Sequence, residues 1–397
     1  MAFTHEYSNC WKDLGSVLLY QHNSFQFAGR VVITEFEDCL IDKLTPGKLY
    51  HSINPKSITV YNEDFLKLIQ KESQDNAIVV ISNVFGNGKL VIDSLKRKIE
   101  LFTEQYKLPI LALFALRNNR LSKPHTGMWT FLQGYYKKCG NASIERACVV
   151  SDKGGRIVEK ELRNGKVRVT PDTTDLDRAF ANNIGLPYHT ISEYLDDSKK
   201  EKFNWNSNCL PPEIRELYVQ ELSAYKNPNI FAKLAELGQA DKYLIIVYGA
   251  PRSGKTTMCK EIIAKWRASD YGRTHAIKRL GRDKYTASKR KSITKKSLEN
   301  NISVIIDGDA HTNALRKPFE EIAKATYTPV LYVEVNPSLG MAHIFNHVAV
   351  ESSIDESLEV YDVKEYHFYK SKVTRPAGTV LYCPVIKKTR QVMLYRY

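Results

Sequence analysis

The residues best equipped for chemistry stand together in Gly249–Thr257, GAPRSGKTT, directly after an apolar run, Tyr243–Tyr248. Glycines at Gly249 and Gly254 let backbone N–H groups converge on phosphate oxygens, with Ser253 and Thr257 flanking the turn. Lys255 can reach β and γ oxygens, and the Thr256 hydroxyl can ligate magnesium. A helix expected from Thr257 to about Trp266 would aim its positive N-terminal end at the anion. The pattern calls for a nucleoside triphosphate. Asp307, closing the apolar run SVIID, is a strand-end carboxylate suited to a magnesium-bound water or to the loop threonine.

The elements that must position these residues read as two α/β sets. Strands are expected at Val31–Thr34, Ala77–Ser82, Pro109–Leu116 and Ala147–Ser151, alternating with helices such as Phe65–Glu72 and Ile92–Tyr106. A second set has strands at Tyr243–Tyr248, Ile302–Asp307 and Pro329–Val335, then a late extended pair in Thr379–Ile386 and Gln391–Tyr395. Between the sets, SKKEKFNWNSNCLPPE joins a charged run, an Asn/Ser run and Pro211–Pro212, which reads as a linker. The expected domains are therefore 1–200 and 236–397, joined by 201–235.

The 397 residues include 58 Lys and Arg against 44 Asp and Glu, a formal net charge of +14 that favours a polyanionic partner. The charge is concentrated in Lys278–Lys296, KRLGRDKYTASKRKSITKK, where Asp283 is the only acid; this segment is expected to face phosphates. Seven cysteines without CxxC or CxxH spacing indicate neither a zinc site nor a disulfide framework. The longest apolar run, Pro109–Leu116, is too short to cross a bilayer, and the first residues show no basic–apolar–small pattern. A nuclear or cytoplasmic protein is expected, with no membrane partner.

Several segments together resemble, in order, the polynucleotide kinase 3′-phosphatases. They are WKDLGSVLLY, VVITEFEDCLID, VVISNVFGNGK, KPHTGMW, VVSDKGGR with DLDRAFANNIGLPY, and then GAPRSGKTT. The resemblance implies a haloacid-dehalogenase-like phosphatase domain followed by a P-loop kinase domain, each a mainly parallel sheet with flanking helices. The family's first motif ends in Asp-x-Asp-Gly-Thr, nucleophile and general acid, whereas this chain has Glu35 and Glu37 there, followed by Asp38 and Cys39. Each glutamate lengthens the carboxylate by a methylene, a misplacement that costs on the order of 100-fold or more. Ser82 and Lys123 match the family's phosphate-binding hydroxyl and lysine, and Asp152 stands where it has a metal ligand. The phosphatase half is thus expected to be impaired.

For the second half the resemblance implies ATP and Mg2+, with Asp283 as base for a 5′-hydroxyl, Arg282 on the substrate's phosphate, and DNA or RNA ends as partner. The family's lid carries arginines, and the matching LGMAHIFNHVAVE has none; His343 and His347 are one turn apart there, and Lys370, Lys372 and Arg375 follow. Two readings stay open: a polynucleotide 5′-hydroxyl kinase, or a catalytically dead relative used for nucleic-acid binding or self-assembly. The 23 tyrosines suit interfaces and favour the second.

Overall fold

Runs such as AIVVISN and ILALFA have no polar alternation, so they must be covered on both faces, as central parallel strands are. The computed structural model describes residues 10–42, 58–85, 88–161, 167–172, 174–205, 228–237, 240–308, 310–351, 353 and 355–382. They form two units, one of Met1–Pro211 with Val350–Val360, the other of Pro212–Ala349 with Tyr361–Thr389.

In the first unit the strands are β1 (Trp11–Asp13), β2 (Val17–Gln21), β3 (Arg30–Thr34), β4 (Ala77–Asn83), β5 (Ile110–Ala115), β6 (Arg146–Val150), β7 (Ile157–Glu161), β8 (Val167–Pro171) and β9 (Tyr188–His189). Seven make one sheet in the order β1-β2-β5-β4-β3-β6-β9, and β7 and β8 form a separate hairpin. Strands from β5 through β9 in that order run parallel. Helices α1 (Glu63–Glu72), α2 (Lys89–Tyr106), α3 (Gly127–Tyr135), α4 (Leu176–Ile184) and α5 (Ile191–Leu195) accompany them. Strand alternation divides the core. Val32, Val80 and Phe114 pack with Phe65, Ile99 and Phe102 of α1 and α2. Val31, Ile33 and Leu113 pack on the other face with Met128, Leu132 and Phe180.

The second unit contains α6 (Ile230–Glu236), β10 (Leu244–Gly249), α7 (Lys255–Ala268), α8 (Asp270–Thr274), β11 (Ile277–Gly281), α9 (Ala287–Glu299), β12 (Ser303–Asp307), α10 (Asn313–Ala325), β13 (Val330–Val335), α11 (Leu339–Glu351), α12 (Val363–Lys372) and β14 (Val380–Tyr382). Its five strands are all parallel in the order β11-β12-β10-β13-β14. Met258, Ile262 and Trp266 of α7 cover one face, and Leu298 of α9 and Phe319 of α10 the other. Among the described residues no helix is long and apolar enough to cross a membrane.

Three expectations shift. The helix after the loop starts at Lys255 and runs to Ala268. The tail of the expected linker is helical: Asn229 caps α6, whose Ile230 and Leu234 are buried in the second core. Strand β11 went unread because its polar residues interrupt the apolar run at a sheet edge. Of the late extended pair, β14 is seen, and residues 383–397 lie outside the described residues.

Phe102 is fully buried between α2 and the sheet, edge-on to Phe36 at 5.7 Å. Phe102→Ala should cost about 3–5 kcal/mol, seen as a lower urea midpoint for the first unit. Leu90→Ala, at a side chain 57% exposed on the same helix, should shift it by under about 0.5 kcal/mol.

Candidate functional site

In the first unit Thr34 pairs with both Val80 and Val150, so Glu35, Ser82 and Ser151 emerge at one carboxyl edge. The chain crosses over to opposite sides of β3 here, the place where open α/β sheets form a crevice. The Glu35 carboxylate lies in it. Its Oε1 accepts from the Phe36 N–H at 3.1 Å and from the Ser82 hydroxyl, and its Oε2 lies 2.5 Å from Lys123 Nζ. Lys123 Nζ is also 2.5 Å from Asp177 Oδ1, and Asp177 Oδ2 accepts from the Ser151 hydroxyl. Lys153 Nζ stands farther out, 4.0 Å from Glu35 Oε2 and 3.5 Å from Asp38 Oδ2. Glu35, Lys123 and Asp177 are all buried.

Burial alone would push Glu35 up, but Lys123 and Lys153, with the Lys123 and Ser82 hydrogen bonds, hold its carboxyl below the ordinary range. Asp177 goes the other way: burial, helped by the Glu35 charge, outweighs Lys123 and raises it. Lys123 is lowered by burial and raised more by Asp177 and Glu35. One ammonium therefore serves two carboxylates, and Glu35 is the better compensated. Cys39, in the position where the resemblance expects a hydroxyl, is a buried thiol pushed up to about 12, mainly by desolvation with the Asp177 charge adding to it.

The other two carboxylates singled out in this half have different partners. Glu37 Oε1 is held by Lys98 Nζ of α2 at 2.9 Å. Asp152 is enclosed: Oδ1 accepts from the Ile191 N–H at 3.0 Å, and Oδ2 meets the Tyr61 hydroxyl at 2.9 Å and Arg156 Nη1 at 2.8 Å. These partners make Asp152 a brace between β6 and α5. Among the described residues no three His, Cys, Asp or Glu side chains gather so as to hold a metal ion. In this crevice the ammoniums of Lys123 and Lys153 stand on the carboxylates, so the donor set does not fit a divalent cation.

In the second unit the loop Gly249–Thr257 links β10 to α7 at the same kind of edge. A Cβ on Gly249 would lie 2.4 Å from the Val335 carbonyl oxygen and 2.7 Å from Ser253 Oγ, so only glycine fits. Gly254, the N-cap of α7, has φ +93°, in the left-handed region glycine favours. Ser253 Oγ is buried without a hydrogen-bond partner, the mark of a cradle built for an oxyanion. Lys255 Nζ donates to the Gly249 and Ala250 carbonyls at 3.0 and 2.6 Å, across the loop it would leave for a phosphate.

The Thr256 hydroxyl donates to Asp307 Oδ2 at 2.8 Å, and the same oxygen takes Arg279 Nε at 2.7 Å. Arg279 also reaches Asp283, with Nη1 3.1 Å from Oδ2 and Nη2 3.0 Å from Oδ1. Asp283 is half exposed and stays close to the loop through this guanidinium. Slight burial would raise its carboxyl; the Arg279 hydrogen bonds and charge reverse this and hold it low. The expected phosphate-facing segment Lys278–Lys296 is thereby corrected in part. Arg279 turns inward beneath the loop, only 13% exposed, and Arg290 is buried, while Lys278, Arg282, Lys284, Lys289 and Lys291 are exposed. Downstream, Arg375 is bound through Nε and Nη2 to the fully buried Glu334, and Lys370 donates to Asn336. The lid stretch forms α11, with His343 and His347 on it.

Residues 30–195 match the family model for polynucleotide kinase 3 phosphatase, and residues 243–362 match that for chromatin associated protein KTI12. The first unit thus carries a polynucleotide kinase 3 phosphatase-type domain, and the second a KTI12-type P-loop domain. A bifunctional polynucleotide phosphatase/kinase of Schizosaccharomyces pombe is 22% identical over 350 residues, covering 85% of this chain and 76% of that one. A protein of Acanthamoeba polyphaga mimivirus, provisionally named for the same two activities, is 27% identical over 358 residues with the same coverage of each. Among solved structures, Chaetomium thermophilum Kti12 in complex with ADP-AlF3 is a loose likeness, 15% identical over 38% of this chain and 95% of its own, at a TM-score of 0.30.

The phosphatase-family unit brings Glu35, Ser82 and Lys123 together and leaves Glu37 and Asp152 with other partners. The P-loop unit brings Thr256, Asp307 and Asp283 together through Arg279. Sequence reasoning gave no role to Asp177 or Lys153, and placed Arg279 only within the phosphate-facing segment. Asp177 was visible as an acid on the apolar face of α4, in line with Phe180 and Ala181. Arg279 was visible through strand alternation, which sets it on the same face of β11 as Ile277.

Lys123→Met should strand two buried carboxylates and cost about 3–5 kcal/mol of stability. Adding Asp177→Asn should recover part of the loss. Chemical denaturation of the three proteins checks both steps, and an additive double variant would contradict the shared ammonium.

Proposed function

We propose that this protein is an ATP-dependent polynucleotide 5′-hydroxyl kinase whose phosphatase-family unit is impaired for 3′-phosphate hydrolysis. The observation that carries the kinase reading is the loop: Gly249 without room for a Cβ, Gly254 at φ +93°, an unpartnered buried Ser253 Oγ, and Thr256 tied to Asp307. The relatives named for phosphatase and kinase activities support polynucleotide ends as the substrate.

On this reading the loop N–H groups and Lys255 hold the triphosphate, Lys255 leaving the Gly249 and Ala250 carbonyls to do so. Thr256 and Asp307 would hold a magnesium ion, which would supply charge stabilisation to the transferring phosphoryl group when bound. Asp283 accepts the 5′-hydroxyl proton as the new O–P bond forms and the bond to the ADP oxygen breaks. Arg279, holding both Asp307 and Asp283, keeps the base beside the nucleotide. Its charge also makes Asp283 a weaker base.

Impairment of the other unit follows from Glu35. The hydroxyl of Ser82 and the ammonium of Lys123, the two groups suited to a substrate phosphate, both donate to this carboxylate. A phosphate would have to displace a buried, hydrogen-bonded charge. One observation favours the second reading, a binding or self-assembling protein without turnover: Arg375, which follows the lid, is committed to Glu334.

Label transfer from γ-labelled ATP to a 5′-hydroxyl oligonucleotide decides between them. Wild type should transfer, and Lys255→Ala should reduce transfer at least about 100-fold; no transfer at enzyme concentrations matching substrate would favour the binding protein. Glu35→Asp with Glu37→Asp, which shortens the side chain now on Ser82 and Lys123, should yield measurable 3′-phosphatase turnover. An inert double variant that still folds would place the defect beyond these carboxylates.

A further inference from the structure

The nucleotide loop carries a cation besides Lys255. In residues 250–253 the Ser253 N–H donates to the Ala250 carbonyl at 3.2 Å, closing a turn with Pro251 second and Arg252 third. Arg252 has φ +57°. That left-handed place in a turn is normally glycine's, so an arginine there is kept against the preference of its own backbone.

The side chain is held without being neutralised. Its guanidinium carbon lies 5.2 Å from the centre of the Tyr361 ring, and its Nε is buried with no hydrogen-bond partner among the described residues. Tyr361 is fixed in turn by α11. There the fully buried Asn346 donates through Nδ2 to the Tyr361 carbonyl at 2.9 Å and accepts the Tyr361 N–H at Oδ1, 3.2 Å away. A ring face positions a guanidinium while leaving its charge and edge N–H donors for an anion, which a carboxylate partner would not. Other arginines of this unit are committed: Arg279 to Asp307 and Asp283, Arg375 to Glu334, and Arg316 to the Ala310 and Thr374 carbonyls. The α11 sequence itself contains no arginine.

We propose that Arg252, aligned by Tyr361, meets the γ-phosphoryl group of the triphosphate and supplies the positive charge that its transfer requires. This role rests on the kinase reading of the unit. As the acceptor oxygen bonds to the γ-phosphorus and loses its proton to Asp283, the bond to the bridging oxygen breaks and ADP keeps the electron pair. The guanidinium offsets, from the loop side, the negative charge spread over the γ-phosphoryl oxygens. Tyr361 is a positioning residue, acting through Arg252.

The test uses the full chain, ADP, the imido analogue of ATP that cannot transfer its terminal phosphate, and a 5′-hydroxyl oligonucleotide. Binding of each nucleotide with magnesium is read by titration calorimetry, and label transfer gives kcat with separate KM values for ATP and acceptor. Arg252→Gly, which suits the left-handed φ, should fold with a Tm close to wild type. It should bind the imido analogue about 10- to 100-fold more weakly, the loss expected for a charge-assisted hydrogen bond, and ADP almost as well as wild type. Its kcat should fall at least about 100-fold with the KM for acceptor unchanged. Arg252→Lys should fall between, and Tyr361→Leu, which keeps the arginine but not its ring, should show a smaller loss of the same pattern. Equal losses for ADP and the analogue would assign the arginine elsewhere on the nucleotide, and a raised KM for acceptor alone would assign it to the polynucleotide. Either result overturns the proposal, as does full activity in Arg252→Gly. An Arg252-dependent preference for the analogue without label transfer by wild type would uphold the γ-phosphate contact and overturn the kinase reading.

Discussion

Parallel strands that cross over to opposite sides of a central neighbour leave a crevice at their carboxyl ends, and both units place their charged side chains there. A charge in such a crevice needs a partner. It comes either from the chain itself or from a ligand. In the first unit the chain supplies it: Lys123 sits between Glu35 and Asp177, with Ser82 and Ser151 closing the remaining bonds. In the second unit Ser253 Oγ and Arg252 Nε are left for something else to complete. The contrast in partner supply, more than any difference in fold, separates what the two units can do.

Two single residues sharpen the contrast. Glu35 is one methylene longer than an aspartate, and that length carries its carboxylate onto the hydroxyl and ammonium that would otherwise meet a phosphate. Arg279 works oppositely. By bonding Asp307 and Asp283 at once, it ties together two carboxylates from different strand ends of the second crevice. Anything that moves Asp307 alters the charge felt by Asp283, so the two carboxylates are coupled through one guanidinium.

Much of this was legible in the sequence wherever a local pattern determines geometry. The loop glycines are required by their own turn, and apolar runs such as ILALFA could only be central strands. The match of Ser82 and Lys123 to one site came from resemblance, and the register of β3 with β4 gives its physical reason for Ser82. Other features were not legible because they depend on which strands become neighbours. Asp177 and Lys123 belong to distant segments, and only the fold shows that one ammonium serves Asp177 and Glu35 together. The partners of Asp152, Tyr61, Arg156 and Ile191, likewise come from separate segments. The basic run misled for a related reason: composition gives the charge of Lys278–Lys296 but not that Arg279 and Arg290 turn inward.

The central claim is that the first crevice is filled by its own carboxylate and the second is open to phosphate. A crystal structure of the full chain grown with ADP, magnesium and tungstate, a heavy phosphate mimic, tests it most directly. The account predicts nucleotide on Gly249–Thr257, no tungstate on Ser82 and Lys123, and Glu35 still bound to both. Tungstate seated on Ser82 and Lys123 with Glu35 turned away, or a loop that takes no nucleotide, would contradict it.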